Sequence, residues 1–180
     1  NGVSNSSAFK HSDEPNPIEE YAISKHEAEI GLKKIAEETG MEVVIIRPPL
    51  VYGKNAPGNF GTLLKVAKKN LPLPLGAIDN QRSFVAVDNL IDLIITSIDH
   101  PNAANQTFLV SDDENVSTSN LLKKLTLAAG KKSWLLPVPV SFLKFAASVF
   151  RKKAAVKRFS TSLTVDIKHT KKTLNWNPQI

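Results

Sequence analysis

The sequence predicts an α/β fold built on a parallel sheet, and three observations carry this. A helical repeat over 18–39 stops at Gly40 and is followed at once by "EVVIIRP" (42–48). That continuous β-branched run has the character of a strand buried on both faces. "RSFVAV" (82–87) then runs into the apolar pattern "DNLIDLIITSIDH" (88–100), and "QTFLVSD" (106–112) precedes "STSNLLKKLTLAAG" (117–130). Helix, short loop and buried strand make half of a βαβ unit, so the strands are expected to pair in parallel.

In order along the chain, residues 1–17 are rich in Asn, Ser, Asp and Pro and read as loop. Tyr21, Lys25, Ala28, Leu32 and Ile35 recur at steps of four and three, which puts them on one helical face. Gly40 supplies the usual left-handed stop. "LVYGKNAPGNFG" (50–61) reads as turn and loop, and "TLLKVAKKN" (62–70) as a short helix. "LPLPLG" is extended but no central strand, because its prolines lack N–H donors. Asp88 is placed as the N-cap of the 88–100 helix. The 117–130 helix has a Ser/Thr start and a Gly end. "VSFLKFAASVFRKKAAVKRF" (140–159) reads as one amphipathic helix, and "LTVDIKHTKKTLNWNP" (163–178) as a short strand, an Asp cap and a helix. No internal repeat or low-complexity segment is present.

The chain has 180 residues, 42% hydrophobic and 22% charged, which suits a folded domain and not a disordered tail. No apolar run approaches the roughly 18–20 residues of a membrane span, and the start carries no signal-peptide pattern. Cysteine is absent, so disulfides and thiolate metal sites are excluded; a reducing cytoplasm fits. The chain opens "NGVSNSSAF" without an initiator methionine, and its one methionine is Met41, so it reads as a piece of something longer. The net charge of +6 is concentrated late, in "RKKAAVKR" (151–158) and "KHTKK" (168–172). Solvated helix faces explain such runs, and a phosphate-rich partner is the alternative. Nucleic-acid signatures are missing. His11, His26, His100 and His169 fit no metal spacing. Asp112, Asp113 and Glu114 read as a loop at a strand end, and Trp134 and Trp176 as core or interface. The 140–159 helix could pack on its own domain or lie on an anionic membrane through Phe142, Phe145 and Phe150 beside its basic end.

The chemistry-bearing stretch is "EYAISKHEAE" (20–29). Tyr21 and Lys25 stand four apart, one turn along the same helical face. An ammonium beside a phenol favours the phenolate, which makes tyrosine a usable general acid and base for a hydroxyl/carbonyl pair. Spacing alone does not select this reading, since a packed aromatic with a solvated lysine one turn on has the same pattern.

The neighbourhood does select it. "PNPIEEYAISKHEAE", a helix, then "VVIIRPPLVYG", later "RSFVAVDNL" (82–90) and "LNWNP" (174–178), resemble in order the extended short-chain dehydrogenase/reductase family of nucleotide-sugar epimerases, dehydratases and reductases. The resemblance implies the C-terminal part of a Rossmann-type parallel sheet plus the smaller mixed α/β substrate-binding domain. Residues 1–53 would close the Rossmann half and 54–180 would be mainly substrate domain, with 82–112 returning to the sheet. It also implies roles. Tyr21 would be the catalytic acid/base, and Lys25 would tune it and hold the nicotinamide ribose. Pro48 would set backbone against the nicotinamide. Asn59, Arg82 and Arg158 would contact the substrate's nucleotide and diphosphate, as suits arginine's bidentate grip. The cofactor would be NAD, with NADP open, the substrate a UDP-sugar, and the full-length protein a homodimer.

The sequence departs from the family pattern in three places. The glycines G-x-x-G-x-x-G that let backbone approach a pyrophosphate are not in this chain. The position of the family's catalytic Ser/Thr falls before Asn1; Ser4, Ser6 and Ser7 lie too near Tyr21 to match it. Leu50 stands where many epimerases carry an asparagine. The chain is therefore expected to hold cofactor poorly by itself. The implied reaction is 4-epimerisation of a UDP-hexose or UDP-N-acetylhexosamine, with a one-way 4-ketoreductase as the alternative. A reading from another class is a non-catalytic basic module for nucleic acid or membrane.

Overall fold

The computed structural model describes residues 7–53, 59–149 and 153–179, and it leaves out the side chains of 59, 62, 153–155 and 158. The chain divides into two units. Unit 1 comprises 1–51, 83–114 and 163–180, and unit 2 comprises 52–82 and 115–162.

In unit 1, α1 (Glu20–Thr39) ends at Gly40, whose φ of 73° only glycine adopts freely. The Gly40 N–H donates to the Ala36 carbonyl at 2.9 Å. β1 (Ile45–Arg47) pairs in parallel with β4 (Thr107–Leu109), in the register Ile45–Thr107, Ile46–Phe108 and Arg47–Leu109. The predicted parallel pairing is therefore present. The strand at 42–48 is shorter than expected, and only Ile45 in it is buried. β2 (Leu50–Tyr52) stands where a loop was expected. It lies beside β3 (Arg82–Ala86) in a second sheet. The unit boundary falls inside β2 and β3.

β3 runs straight into α3 (Val87–Asp99). The cap of α3 differs from the expectation: Ala86 is the N-cap residue and Asp88 lies in the first turn. The capping carboxylate comes from beyond β4. Asp112 accepts from the Ala86 N–H at 2.9 Å and from Asn89 Nδ2 at 2.7 Å. The core of unit 1 gathers Val85, Leu93, Phe108 and Val110 with residues distant from them in sequence, Phe9, Ile167 and Trp176. Phe9 and Val165 form an isolated parallel bridge where a loop and a short strand were expected. In α7 (Lys168–Leu174) the N-cap position is Ile167, and Asp166 Oδ1 accepts from the Lys168 N–H at 2.8 Å. Trp176 is buried and donates Nε1–H to Asp92 at 2.7 Å, so for this tryptophan the core reading is right.

In unit 2, α2 (Asn59–Lys69) packs with α4 (Thr118–Ala128). Ser117 caps α4 as predicted, its Oγ accepting from the Asn120 N–H at 3.1 Å. Asn80 is buried and ties three segments together. Its Oδ1 accepts from the Thr118 N–H at 2.9 Å, and its Nδ2 donates to the Thr161 carbonyl at 3.0 Å. Gly76 closes "LPLPLG" where the backbone of Leu135 and Leu136 lies 2.9 Å from any Cβ it could carry. The predicted helix over 140–159 is two helices, α5 (Val140–Val149) and α6 (Lys153–Ser160), packed on each other; Phe150 falls outside the described residues. Trp134 is exposed rather than buried.

Candidate functional site

α1 begins after "PNPI", and Tyr21 sits in its first turn. Ser24 Oγ donates to the Tyr21 carbonyl at 2.9 Å. One turn on, Lys25 Nζ stands over the Tyr21 ring, 5.6 Å from its centroid. The i, i+4 spacing thus brings ammonium and aromatic ring together. Tyr21 is 73% exposed, and α1 buries none of its residues. Strong coupling between phenol and ammonium needs water excluded around them, and the described residues leave this face open.

What holds α1 in place is a pair that the sequence reading did not single out. Glu29, two turns beyond Tyr21, takes the guanidinium of Arg47 at the end of β1. Arg47 Nε donates to Oε1 at 3.0 Å and to Oε2 at 3.1 Å, and Nη2 donates to Oε2. Both side chains are largely shielded. Burial alone would raise the Glu29 carboxyl, but the hydrogen bonds and charge of Arg47, with smaller help from His26 and Lys33, hold it below the ordinary carboxylate value. The signal lay in view, in the glutamate closing "YAISKHEAE" and the arginine of "IIRPP", but nothing in their spacing announces a contact across 18 residues.

Pro48 follows Arg47 directly and is exposed. Tyr21, Lys25 and Pro48 all belong to unit 1, whereas Asn59, Arg82 and Arg158 belong to unit 2. Asn59 opens α2 and Arg158 lies within α6; the side chains of both fall outside the description. Arg82 opens β3 half-buried, and burial pushes its guanidinium below the usual arginine value. Leu50 is half-buried in β2.

His11 and His169, read as scattered, stack with ring centroids 3.7 Å apart, and Phe108 lies 5.6 Å from His169 on centroids. Burial, and then the charge of His11, push His169 below the ordinary histidine value. Among the described residues no three His, Asp or Glu side chains group as a metal site.

Residues 3–111 match the family described as "NAD dependent epimerase/dehydratase family", and the chain belongs to it. Over 171 residues it is 48% identical to a UDP-glucose 4-epimerase of Vibrio cholerae, covering 94% of this chain and 52% of that one. In fold it is similar to the UDP-glucose 4-epimerase of Thermotoga maritima solved with UDP-glucose, with a TM-score of 0.74 at 19% identity, covering 99% of this chain and 55% of that one. The UDP-glucuronic acid 4-epimerase of Bacillus cereus, solved with NAD, gives 0.73 at 18% identity, over 98% and 53%. The chain thus spans about half the length of these relatives.

The residues present fit one end of a nicotinamide dinucleotide. A phenol and an ammonium share an open helix face, and an exposed proline follows the strand that this helix is tied to. They do not fit its pyrophosphate. β1 leads into Pro48–Pro49, β3 leads into α3 with no intervening residue, and neither junction holds the glycine turn that would admit a phosphate.

Proposed function

We propose that the whole protein is a sugar-nucleotide 4-epimerase acting on a UDP-hexose or UDP-N-acetylhexosamine, and that this chain supplies its proton-transfer helix and most of its substrate domain. In this reading unit 1 is the C-terminal part of a Rossmann-type half and unit 2 the smaller substrate-binding part. Residues 1–53 belong to the first, with 82–112 returning to it; 163–180, expected in the substrate domain, share the core of unit 1 and go with the first part as well. The observation that carries the reading is the meeting of Tyr21 and Lys25 on a helix anchored to the strand before Pro48. The family membership and the 48% identity to a UDP-glucose 4-epimerase support it.

Tyr21 Oη takes the proton of the sugar 4-hydroxyl as the C4 carbonyl forms, and returns it when the carbonyl is reduced from the other face. Lys25 keeps positive charge beside the phenol and donates to the nicotinamide ribose. Glu29 and Arg47 act through α1 as positioning residues. Arg82, with Asn59 and Arg158, grips the diphosphate and nucleotide. Bound NAD supplies the reversible acceptance of hydride at C4. A one-way 4-ketoreductase is the second reading; Leu50, at a position where many epimerases carry asparagine, bears on which sugar is held. By itself this chain lacks the pyrophosphate turn and should not turn over; the full-length protein would work as a cytoplasmic homodimer.

The test is to incubate the full-length protein with UDP-glucose or UDP-N-acetylglucosamine and NAD and follow the 4-epimer by NMR. Epimer formed by the wild type and lost in Tyr21→Phe is the expected result. A Tyr21→Phe protein as active as the wild type ends the proposal, and net reduction of a 4-keto sugar with consumption of NADH selects the reductase.

A further inference from the structure

The two units carry opposite charge. Unit 2 holds fifteen of the 23 Lys and Arg and one of the 17 Asp and Glu, Asp79, a formal +14. Unit 1 holds the other eight cations and sixteen anions, a formal −8. From Asn115 to Val165 there is no acidic residue at all. A diphosphate carries about two negative charges and is gripped by one or two arginines, so a bound nucleotide sugar does not account for an excess of this size.

The same unit exposes an apolar helix face. On α5, Leu143 and Ala147 turn inward and are buried. Phe142, Phe145 and Val149, at i, i+3 and i+7, share the opposite face and are between 61% and 69% exposed. A helix that is apolar on two faces needs a cover on the outer one. Beside this face a groove of about 730 Å³ runs between α5 and α6, lined by Phe145 and Val156 and flanked by Lys144 and Lys157. Trp134, in the segment leading to α5, is 59% exposed. Aromatic and aliphatic side chains ringed by lysines, on a body with almost no anions, match the boundary of an anionic bilayer: the rings enter the acyl edge and the ammonium groups meet lipid phosphates.

We propose that unit 2 docks on an anionic phospholipid surface through the outer face of α5. This goes beyond the epimerase reading and does not depend on it. A nucleic acid would use the charge but gains nothing from Val149. A symmetric pairing of two unit 2 faces would oppose +14 to +14.

The test is co-sedimentation of the full-length protein with vesicles of phosphatidylcholine alone and with about one-third phosphatidylglycerol, whose charge gives the surface a negative potential. Binding to the anionic vesicles only is expected. Phe142→Ala/Phe145→Ala should weaken it at least tenfold, and Lys144→Glu/Lys157→Glu should abolish it at about 0.15 M salt. Trp134 is exposed beside α5, so a blue shift of tryptophan emission on adding vesicles that disappears in Trp134→Phe reads this residue, and it gives a measurement with both phenylalanines intact if their variant misfolds. Four results each overturn the proposal: no partition to anionic vesicles, equal partition by the phenylalanine variant, a duplex oligonucleotide displacing the protein from vesicles, or concentration-dependent self-association that shifts Trp134 without lipid.

Discussion

Glu29 and Arg47 join α1 to β1 through a forked pair, two hydrogen bonds from Nε at 3.0 and 3.1 Å and one more from Nη2. Because Arg47 is followed by Pro48, the pair fixes α1 against the end of β1 and the proline that follows it. Arg47→Met leaves the carboxylate shielded and unpartnered. The expected loss is about 1.5–3 kcal/mol of stability, the range for hydrogen bonds to charged groups, read by urea unfolding. Glu29→Gln, which keeps one acceptor, should cost less.

The same pair sets an acid limit. With the Glu29 carboxyl lowered in the fold, the unfolded chain binds the proton more readily. The pair's contribution is therefore complete above the ordinary carboxylate range and is lost as pH falls through the lower, folded value. His169 acts in the same direction at higher pH. Its folded value is depressed, so stability is complete above 6.5 and declines as the solution is acidified. The ring faces His11 and Phe108, with Thr173 Oγ1 3.4 Å from Nδ1. In His169→Phe the decline just below neutrality should flatten while the Glu29 step at lower pH remains, as unfolding midpoints from about pH 2 to pH 8 would record.

Arg82→Ala in the full-length protein should weaken UDP binding about 10- to 100-fold, the equivalent of one charged bidentate contact. Titration calorimetry with UDP measures this. An unchanged affinity would move Arg82 to a structural role in β3.

Asp112 caps α3 from a distance of 26 residues, through the Ala86 N–H and Asn89 Nδ2. Asp112→Ala should cost about 1–2 kcal/mol, the upper part of the capping range, whereas Asp88→Ala should cost little. Unfolding midpoints of the two variants separate these outcomes.

At Gly76 an added Cβ would meet main-chain atoms of Leu135 and Leu136 at 2.9 Å, with no side chain to give way. Gly76→Ala is expected to destabilise unit 2 by about 1–3 kcal/mol, as overpacking does, and differential scanning calorimetry would register it.

Elements with strong local signals were legible in the sequence. The four-three repeat ending at Gly40 gave α1 to within two residues at its start and none at its end, and Ser117 announced α4. The Tyr21–Lys25 contact follows from helix geometry alone. What failed to show is non-local. Asp112 displaces Asp88 because a carboxylate arriving from β4 reaches the free N–H groups better than one already inside the first turn. The Glu29–Arg47 pair and the His11–His169 stack join segments 18 and 158 residues apart, where periodicity says nothing. β2 and the Phe9–Val165 bridge are too short to leave a pattern.

The core of unit 1 is closed by Phe9, which precedes α1, and by Ile167, Leu174 and Trp176, which follow α6, with Asn89 accepting from the Gln179 N–H at 2.9 Å. A ribosome delivering this chain must therefore release residue 176 before that core can shut. Until then Val85, Leu93 and Phe108 wait without their lid, so assembly is late, slow for its size and open to chaperone capture.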